Sequence, residues 1–210
     1  MADPRLALFD GAALVTTNND WANQDSVSAA GAALGAFPFL PGSRDAALLT
    51  EVGGGRTLQV SGPAAGLVVV EAYDAGTGDS PRLTNVSARN QVGTDANILI
   101  AGFSLTGTKT LLIRAVGPTL AAAPFNLPGT LADPRLELFT AATIPLKIAE
   151  NDTWSPALVS TFSAVGAFAL APGSRDAALL VTLAPGGYTV QVSGVANTTG
   201  QAIVEIYEVP

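Results

Sequence analysis

Pro41-Gly42-Ser43-Arg44-Asp45-Ala46-Ala47-Leu48-Leu49 reads PGSRDAALL, and the same nine residues return unchanged from Pro172 to Leu180. An identical run of that length, met twice in one chain, marks an internal repeat. Ordered matches lie on both sides of it. Ala2-Asp3-Pro4-Arg5-Leu6 returns as Ala132-Asp133-Pro134-Arg135-Leu136. The stretch Asn19-Asp20-Trp21 returns as Asn151-Asp152-Thr153-Trp154. Gln59-Val60-Ser61-Gly62 matches Gln191-Val192-Ser193-Gly194, and Val70-Glu71-Ala72-Tyr73 matches Val204-Glu205-Ile206-Tyr207. The copies lie about 130 residues apart. Residues 2–74 form segment A and residues 132–208 its copy A′, while residues 82–131, segment B, occur once. The expected domains are 1–79, a partial repeat, and 80–210, a full one. Such a chain is expected to be an excised piece of a longer A-B-A-B array.

The local pattern inside each copy is that of short strands. Pro4–Phe9 and Pro134–Phe139 alternate apolar and polar residues, as do Arg56–Ser61 and Tyr188–Ser193. Asp45–Thr50 and Asp176–Thr182 are short apolar strands, and Leu67–Tyr73 and Gln201–Tyr207 close each copy. Segment B offers Leu83–Ser87, Asn97–Leu105 and Thr108–Val116, with Thr106-Gly107 fitting a tight hairpin between the last two. Two helices are expected. One has Ser155 as N-cap and Pro156 at the first helical position, and stops at Gly166; the other runs from Asp25 to Leu34 and stops at Gly35. These elements predict an all-β protein of two repeated β-sandwich or jelly-roll-like modules, with short helices at the sandwich ends.

Composition narrows the chemistry. The 210 residues contain no Cys and no His, and hydrophobic residues make up 48%. Absence of His removes the Ser-His-Asp triad and the imidazole proton shuttle. Absence of both residues removes the usual zinc, copper, haem and iron–sulfur ligands. Charged residues are 13% of the chain, against a typical ~25%. The net charge of −7 and the presence of two lysines, Lys109 and Lys147, argue against nucleic acid. No run of 18 apolar residues suggests a membrane span. The Gly53-Gly54-Gly55-Arg56 stretch lacks the Lys-Ser/Thr of a phosphate loop, and no cluster of carboxylates marks a glycosidase pair. The expectation is a chain that is not an enzyme.

The ordered series ADPRLxLF, an acidic NDxW loop, GSRDAALL, GGYTVQVSG and a closing AIVEIYE resembles the bacterial pre-peptidase C-terminal (PPC-like) β-sandwich. It is similar, more closely, to tandem repeats of large secreted bacterial surface proteins, in which such a module alternates with elements like Arg82–Arg89, Leu99–Phe103 and Lys109–Leu120. The resemblance implies an extracellular or cell-surface, non-catalytic accessory or stalk module. It implies no particular ligand.

Three constellations have both a functional and a structural reading. Asn19, Asp20, Asn151 and Asp152 supply hard oxygen ligands suited to Ca²⁺, and related sandwich modules bind calcium through such loops; the alternative is an Asx turn. Arg44-Asp45 and Arg175-Asp176 read either as a binding patch or, as favoured, as structural pairs, each Arg pinning its module's own acidic loop to a sheet. Trp21 and Trp154, the two tryptophans, read either as a glycan platform or as plugs at the end of the core.

Two A segments share one B. Either B bridges both within the chain, or uncovered strand edges are satisfied between chains, giving a head-to-tail homo-oligomer or filament. The expected function is an extracellular structural repeat of a stalk, adhesin or filament assembling through β-edges. The alternative is a Ca²⁺- or carbohydrate-binding accessory module with a surface glycan as partner.

Overall fold

A computed structural model describes residues 1–77, 80 and 82–210. The boundary expected at Asp79 lies outside the described residues. The chain divides into two compact units, Met1–Leu83 and Thr84–Pro210.

Unit 1 contains β1 (Arg5–Asp10), β2 (Ala13–Asn18), α1 (Asp25–Leu34) and β3 (Thr57–Ser61). The strands form one antiparallel sheet in the order β2-β1-β3. Gly11, at φ 56°, makes the tight turn between β1 and β2 that a residue with a Cβ adopts only under strain. Leu6 faces Val60 and Leu8 faces Leu58 across the β1–β3 ladder. Helix α1 ends at Gly35 in the left-handed conformation, as the sequence predicts.

Unit 2 is larger. Segment B supplies β4 (Asn85–Val92), β5 (Leu99–Leu105), β6 (Lys109–Val116) and the short α2 (Pro118–Ala121). Segment A′ supplies β7 (Pro134–Thr140), β8 (Lys147–Asn151), α3 (Val159–Ala164), β9 (Ala177–Leu183), β10 (Gly186–Gly194) and β11 (Gly200–Val209). These strands build two four-stranded antiparallel sheets, β5-β10-β7-β8 and β4-β11-β6-β9. Unit 2 is therefore an all-β sandwich, and segment B belongs to it.

The second sheet interleaves the two segments. Its order alternates B, A′, B, A′, so β6 lies between β11 and β9. Side chains of β6 alternate faces, as a strand requires. Leu111, Ile113 and Ala115 enter the core between the sheets with Val204 of β11, Leu136 and Leu138 of β7, and Val190 and Val192 of β10. Leu112 and Val116 point to the other face, where Trp154, Phe162 of α3 and Tyr207 of β11 cover them. Burial of each large side chain contributes about 1.5–3 kcal/mol, so β6, buried on both faces, is a major source of stability.

The structure departs from expectation at three places, and the interleaving explains the first two. In unit 1 the strands expected at Asp45–Thr50 and Leu67–Tyr73 have no ladder, although 46–49 is identical in sequence to the start of β9. Their counterparts β9 and β11 do not pair with each other; β9 pairs with β6, and β11 lies between β6 and β4. Each of these ladders in unit 2 includes a B strand, and among the described residues of unit 1 there is none. Second, Thr106-Gly107 is not a hairpin turn, because β5 pairs with β10 while β6 pairs with β9 and β11; the link crosses from one sheet to the other. Third, α3 covers the outer face of the second sheet rather than an end of the sandwich. It begins as a 3-10 turn, Pro156–Leu158, with Ser155 Oγ accepting from the Ala157 N–H at 3.3 Å. Strands β2 and β8 had no alternating signal and were not expected. Among the described residues, no helix is long and apolar enough to cross a membrane.

Candidate functional site

The chemistry-bearing side chains of unit 2 gather on the outer face of the interleaved sheet, where B and A′ meet. Arg114 of β6 and Glu205 of β11 are register partners across the ladder. Arg114 is fully buried. Its Nε donates to Glu205 Oε2 at 2.9 Å, a second guanidinium nitrogen donates to the same oxygen, and a third donates to the Phe168 carbonyl at 2.6 Å. The guanidinium carbon lies 4.4 Å from the Phe168 ring centroid and 4.9 Å from that of Phe162, so aromatic faces enclose the charge. The Tyr207 hydroxyl donates to the remaining Glu205 oxygen at 2.8 Å. Burial first, and then the Glu205 carboxylate, hold that hydroxyl well above the usual tyrosine range.

Asp176 forms a second junction. It is fully buried. Its carboxylate accepts from the Gly117 N–H at 2.8 Å, from the Thr119 N–H at 3.3 Å, from the Thr119 hydroxyl, and from Ser174 Oγ at 2.6 Å. Gly117 and Thr119 belong to segment B, so one A′ carboxylate ties down the turn after β6. That turn needs glycine at 117, since a Cβ there would sit 2.1 Å from the Leu131 carbonyl oxygen. Trp154 Nε1 donates to Ser174 Oγ at 3.1 Å, extending the network into A′.

Unit 1 repeats the A half of this arrangement without the B half. Trp21 Nε1 donates to Ser43 Oγ at 3.2 Å, and Ser43 Oγ donates to Asp45 at 2.6 Å. Among the described residues, Ser43 alone donates to the Asp45 carboxylate. Tyr73 donates to Glu71 at 3.1 Å, as Tyr207 does to Glu205, but both residues are exposed. The decisive contrast is burial: Val70 is 51% exposed and its counterpart Val204 2%, and Tyr73 is 43% exposed against 8% for Tyr207.

The residues singled out in the sequence take the following places. Arg44 pairs with Asp3 at 3.0 Å and Arg175 with Asp133 at 2.7 Å. The expected partner was the acidic loop; the actual one is the Asp-Pro turn that enters β1 or β7. Both arginines are exposed, so each pair is a weak surface clasp.

In the acidic loops the leading asparagine works as a structural bridge. Asn18 Oδ1 accepts from the Ala47 N–H at 3.0 Å, and Asn151 Oδ1 accepts from the Ala178 N–H at 2.9 Å. The true equivalent of Asn151 is therefore Asn18, one residue before the Asn19 that sequence matching chose. Asn19 donates to Asp20 at 3.1 Å, and both are exposed, as is Asp152. Nearby Glu150 is engaged by Lys147 at 2.7 Å and Arg135 at 2.6 Å, and these two cations lower its pKa to about 2. Among the described residues, no group of three or more acidic side chains converges to hold a metal ion.

Trp21 and Trp154 are 6% and 7% exposed, and so offer no open ring face to a sugar. The glycan platform expected there gives way to the core-plug reading. Each packs on an aromatic ring, Phe39 at 5.6 Å for Trp21 and Phe162 at 5.7 Å for Trp154. Sequence reading missed Arg114, Glu205 and Tyr207. The signal was present: a lone Arg inside the apolar run Leu111–Val116 needs a buried partner, and Glu and Tyr two apart share one strand face.

The chain is similar to a bacterial pre-peptidase C-terminal domain. The solved structure is that of the pre-peptidase C-terminal domain of collagenase from Bacillus anthracis, at 10% identity and a TM-score of 0.38, over 59% of this chain and 89% of that one. No protein-family model and no curated protein matches the chain.

Proposed function

We propose that the chain is a non-catalytic structural repeat of an extracellular bacterial stalk, adhesin or filament. The observation that carries the reading is β6 of segment B seated between β9 and β11 of A′. A sheet shared between B and A′ holds these two segments together through strand ladders rather than through a flexible tether. The polar chemistry supports the same role. Its buried charges, Arg114, Glu205 and Asp176, are used on one another and on backbone N–H groups, which leaves them closed to a substrate. The low charge, with 22 Gly and 14 Pro, suits stacked β-modules. Edge strand β5 carries no charged residue and exposes Ile100, a surface that suits β-edge contact between copies.

Light scattering and negative-stain microscopy across a concentration series test the proposal. Growth of linear head-to-tail assemblies supports it. A strictly monomeric 21.1 kDa species at all concentrations overturns the assembly role.

A further inference from the structure

We propose that unit 1 carries an open strand slot whose occupant is a second B-type segment, with the sequence character of residues 84–121, arriving directly ahead of Met1. The inference rests on the reading that each B completes the A that follows it.

Four observations converge on this occupant. First, the internal copy shows what covers the equivalent surface. Every strand that pairs with β9 or β11 comes from segment B. The matching stretches of unit 1 repeat PGSRDAALL and the Val-Glu-x-Tyr motif, yet lack ladders. Second, the uncovered residues are apolar. Val69 and Val70 are exposed where their counterparts Ile203 and Val204 pack into the core, and so is Phe37, whose counterpart Phe168 lies over the Arg114 guanidinium. Third, the polar groups are complementary to a B segment. Glu71 with Tyr73 awaits a buried arginine, and Asp45 awaits the N–H groups of a Gly-Pro-Thr turn, as Glu205 and Asp176 receive them in unit 2.

Fourth, the point of entry is already set. Leu131, the last residue before A′, donates its N–H to the Gln201 carbonyl at 2.8 Å. Met1, at the matching position before A, donates its amine to the Leu67 carbonyl at 2.5 Å, and Leu67 is the counterpart of Gln201. Gly200 and Gly66 are the close-approach glycines beneath these two contacts: an added Cβ would lie 2.5 Å from Leu131 N and 2.7 Å from Met1 N. A chain entering unit 1 through residue 1 therefore lies where segment B hands over to A′ in unit 2.

The test extends the full chain by a copy of residues 82–130 placed directly ahead of Met1. Amide hydrogen exchange is read at Ala46, Leu48 and 67–73 in the extended and the original chain; Ala47 is left out because its N–H already donates to Asn18 Oδ1. Protection rising by ~100-fold or more in the extended chain is the expected result, since laddered amides open far less often than free ones. Equal exchange in both chains, or protection already present in the original, overturns the proposal. A crosslink gives a second readout that does not depend on solubility. Leu112 is the register partner of Leu180, whose counterpart is Leu49. The chain has no cysteine, so Leu49→Cys combined with Leu112→Cys in the added copy alone gives one disulfide if the slot is filled as proposed. Failure of that disulfide under oxidation overturns it. Slot filling is independent of filament growth, so its failure is distinguishable from failure of the assembly role.

Discussion

Arg114 and Glu205 face each other across the β6–β11 ladder, both buried, one contributed by a segment that occurs once and the other by a segment that occurs twice. The first copy of that glutamate, Glu71, stands in solvent beside Tyr73. One sequence motif thus has two physical environments within one chain, and the difference is the presence of a B strand.

The pair gives the first prediction. Glu205→Gln leaves the Arg114 charge buried without its counter-ion, and removing one partner of such a pair costs about 3–5 kcal/mol. Glu71→Gln, at the matching exposed position, stays within about 0.5 kcal/mol. Replacing both members, Arg114→Met with Glu205→Met, recovers only part of the loss: the apolar pair carries no desolvation penalty, but the Tyr207 hydroxyl and the Phe168 carbonyl lose their partners. Denaturant midpoints of unit 2 for the two Glu205 variants, and of unit 1 for Glu71→Gln, check this.

Asp176 and Asp45 form a second matched contrast. Asp176→Ala removes the acceptor for the Gly117 and Thr119 N–H groups and strands them in a buried turn. Each unsatisfied group costs about 1–3 kcal/mol. Asp45→Ala loses only the Ser43 contact among the described residues, and its effect stays near or below about 1 kcal/mol. Thermal unfolding of the two variants, followed separately for each unit by hydrogen exchange, reads the asymmetry.

Much of this organisation is legible in the residues themselves. The duplicated PGSRDAALL run gives the repeat, and two-residue alternation locates β1, β3, β7 and β10. Gly35 and Gly166 mark the helix stops, both at positive φ. Strand neighbours are not legible, because alternation states which face a residue takes and not which strand lies beside it. That is why Thr106-Gly107 reads as a hairpin when it joins two sheets, and why 45–50 reads as a strand regardless of its context. The matched networks are partly legible. Trp21 and Trp154 stand at equivalent positions, but only geometry shows that their indole N–H groups reach Ser43 and Ser174. The asparagine bridge was hidden by a register slip of one residue, Asn19 for Asn18.

The Glu150 cluster sets an acid dependence. Lys147 and Arg135 lower the Glu150 pKa to about 2 in the folded chain, below its ordinary 4.5. A depressed carboxylate contributes stability that is present above the unfolded value and is lost as pH falls towards the folded one. The loss therefore falls between about pH 4.5 and 2. Lys147 is shifted upward, so its contribution is present at neutral pH and is lost only above its ordinary value of 10.5. Glu150→Gln flattens the acid limb of the stability curve for unit 2, and added salt weakens the wild-type limb because the cluster is exposed. Melting temperatures at about pH 2.5, 4 and 7, with and without salt, check both statements, since the first two values lie inside that window and the third above it.

The central claim is that a B strand, and not local sequence, decides whether this motif forms a sheet. Native-state hydrogen exchange on the unaltered chain tests it most directly, by comparing the amides of Ala46 and Leu48 with those of Ala177 and Leu179; Ala47 and Ala178 are both held by an asparagine and carry no contrast. The two stretches are identical, so their intrinsic exchange chemistry is matched. The account predicts slow exchange at Ala177 and Leu179, near the global stability of unit 2, and fast exchange at Ala46 and Leu48. Equal protection of the two stretches would contradict it.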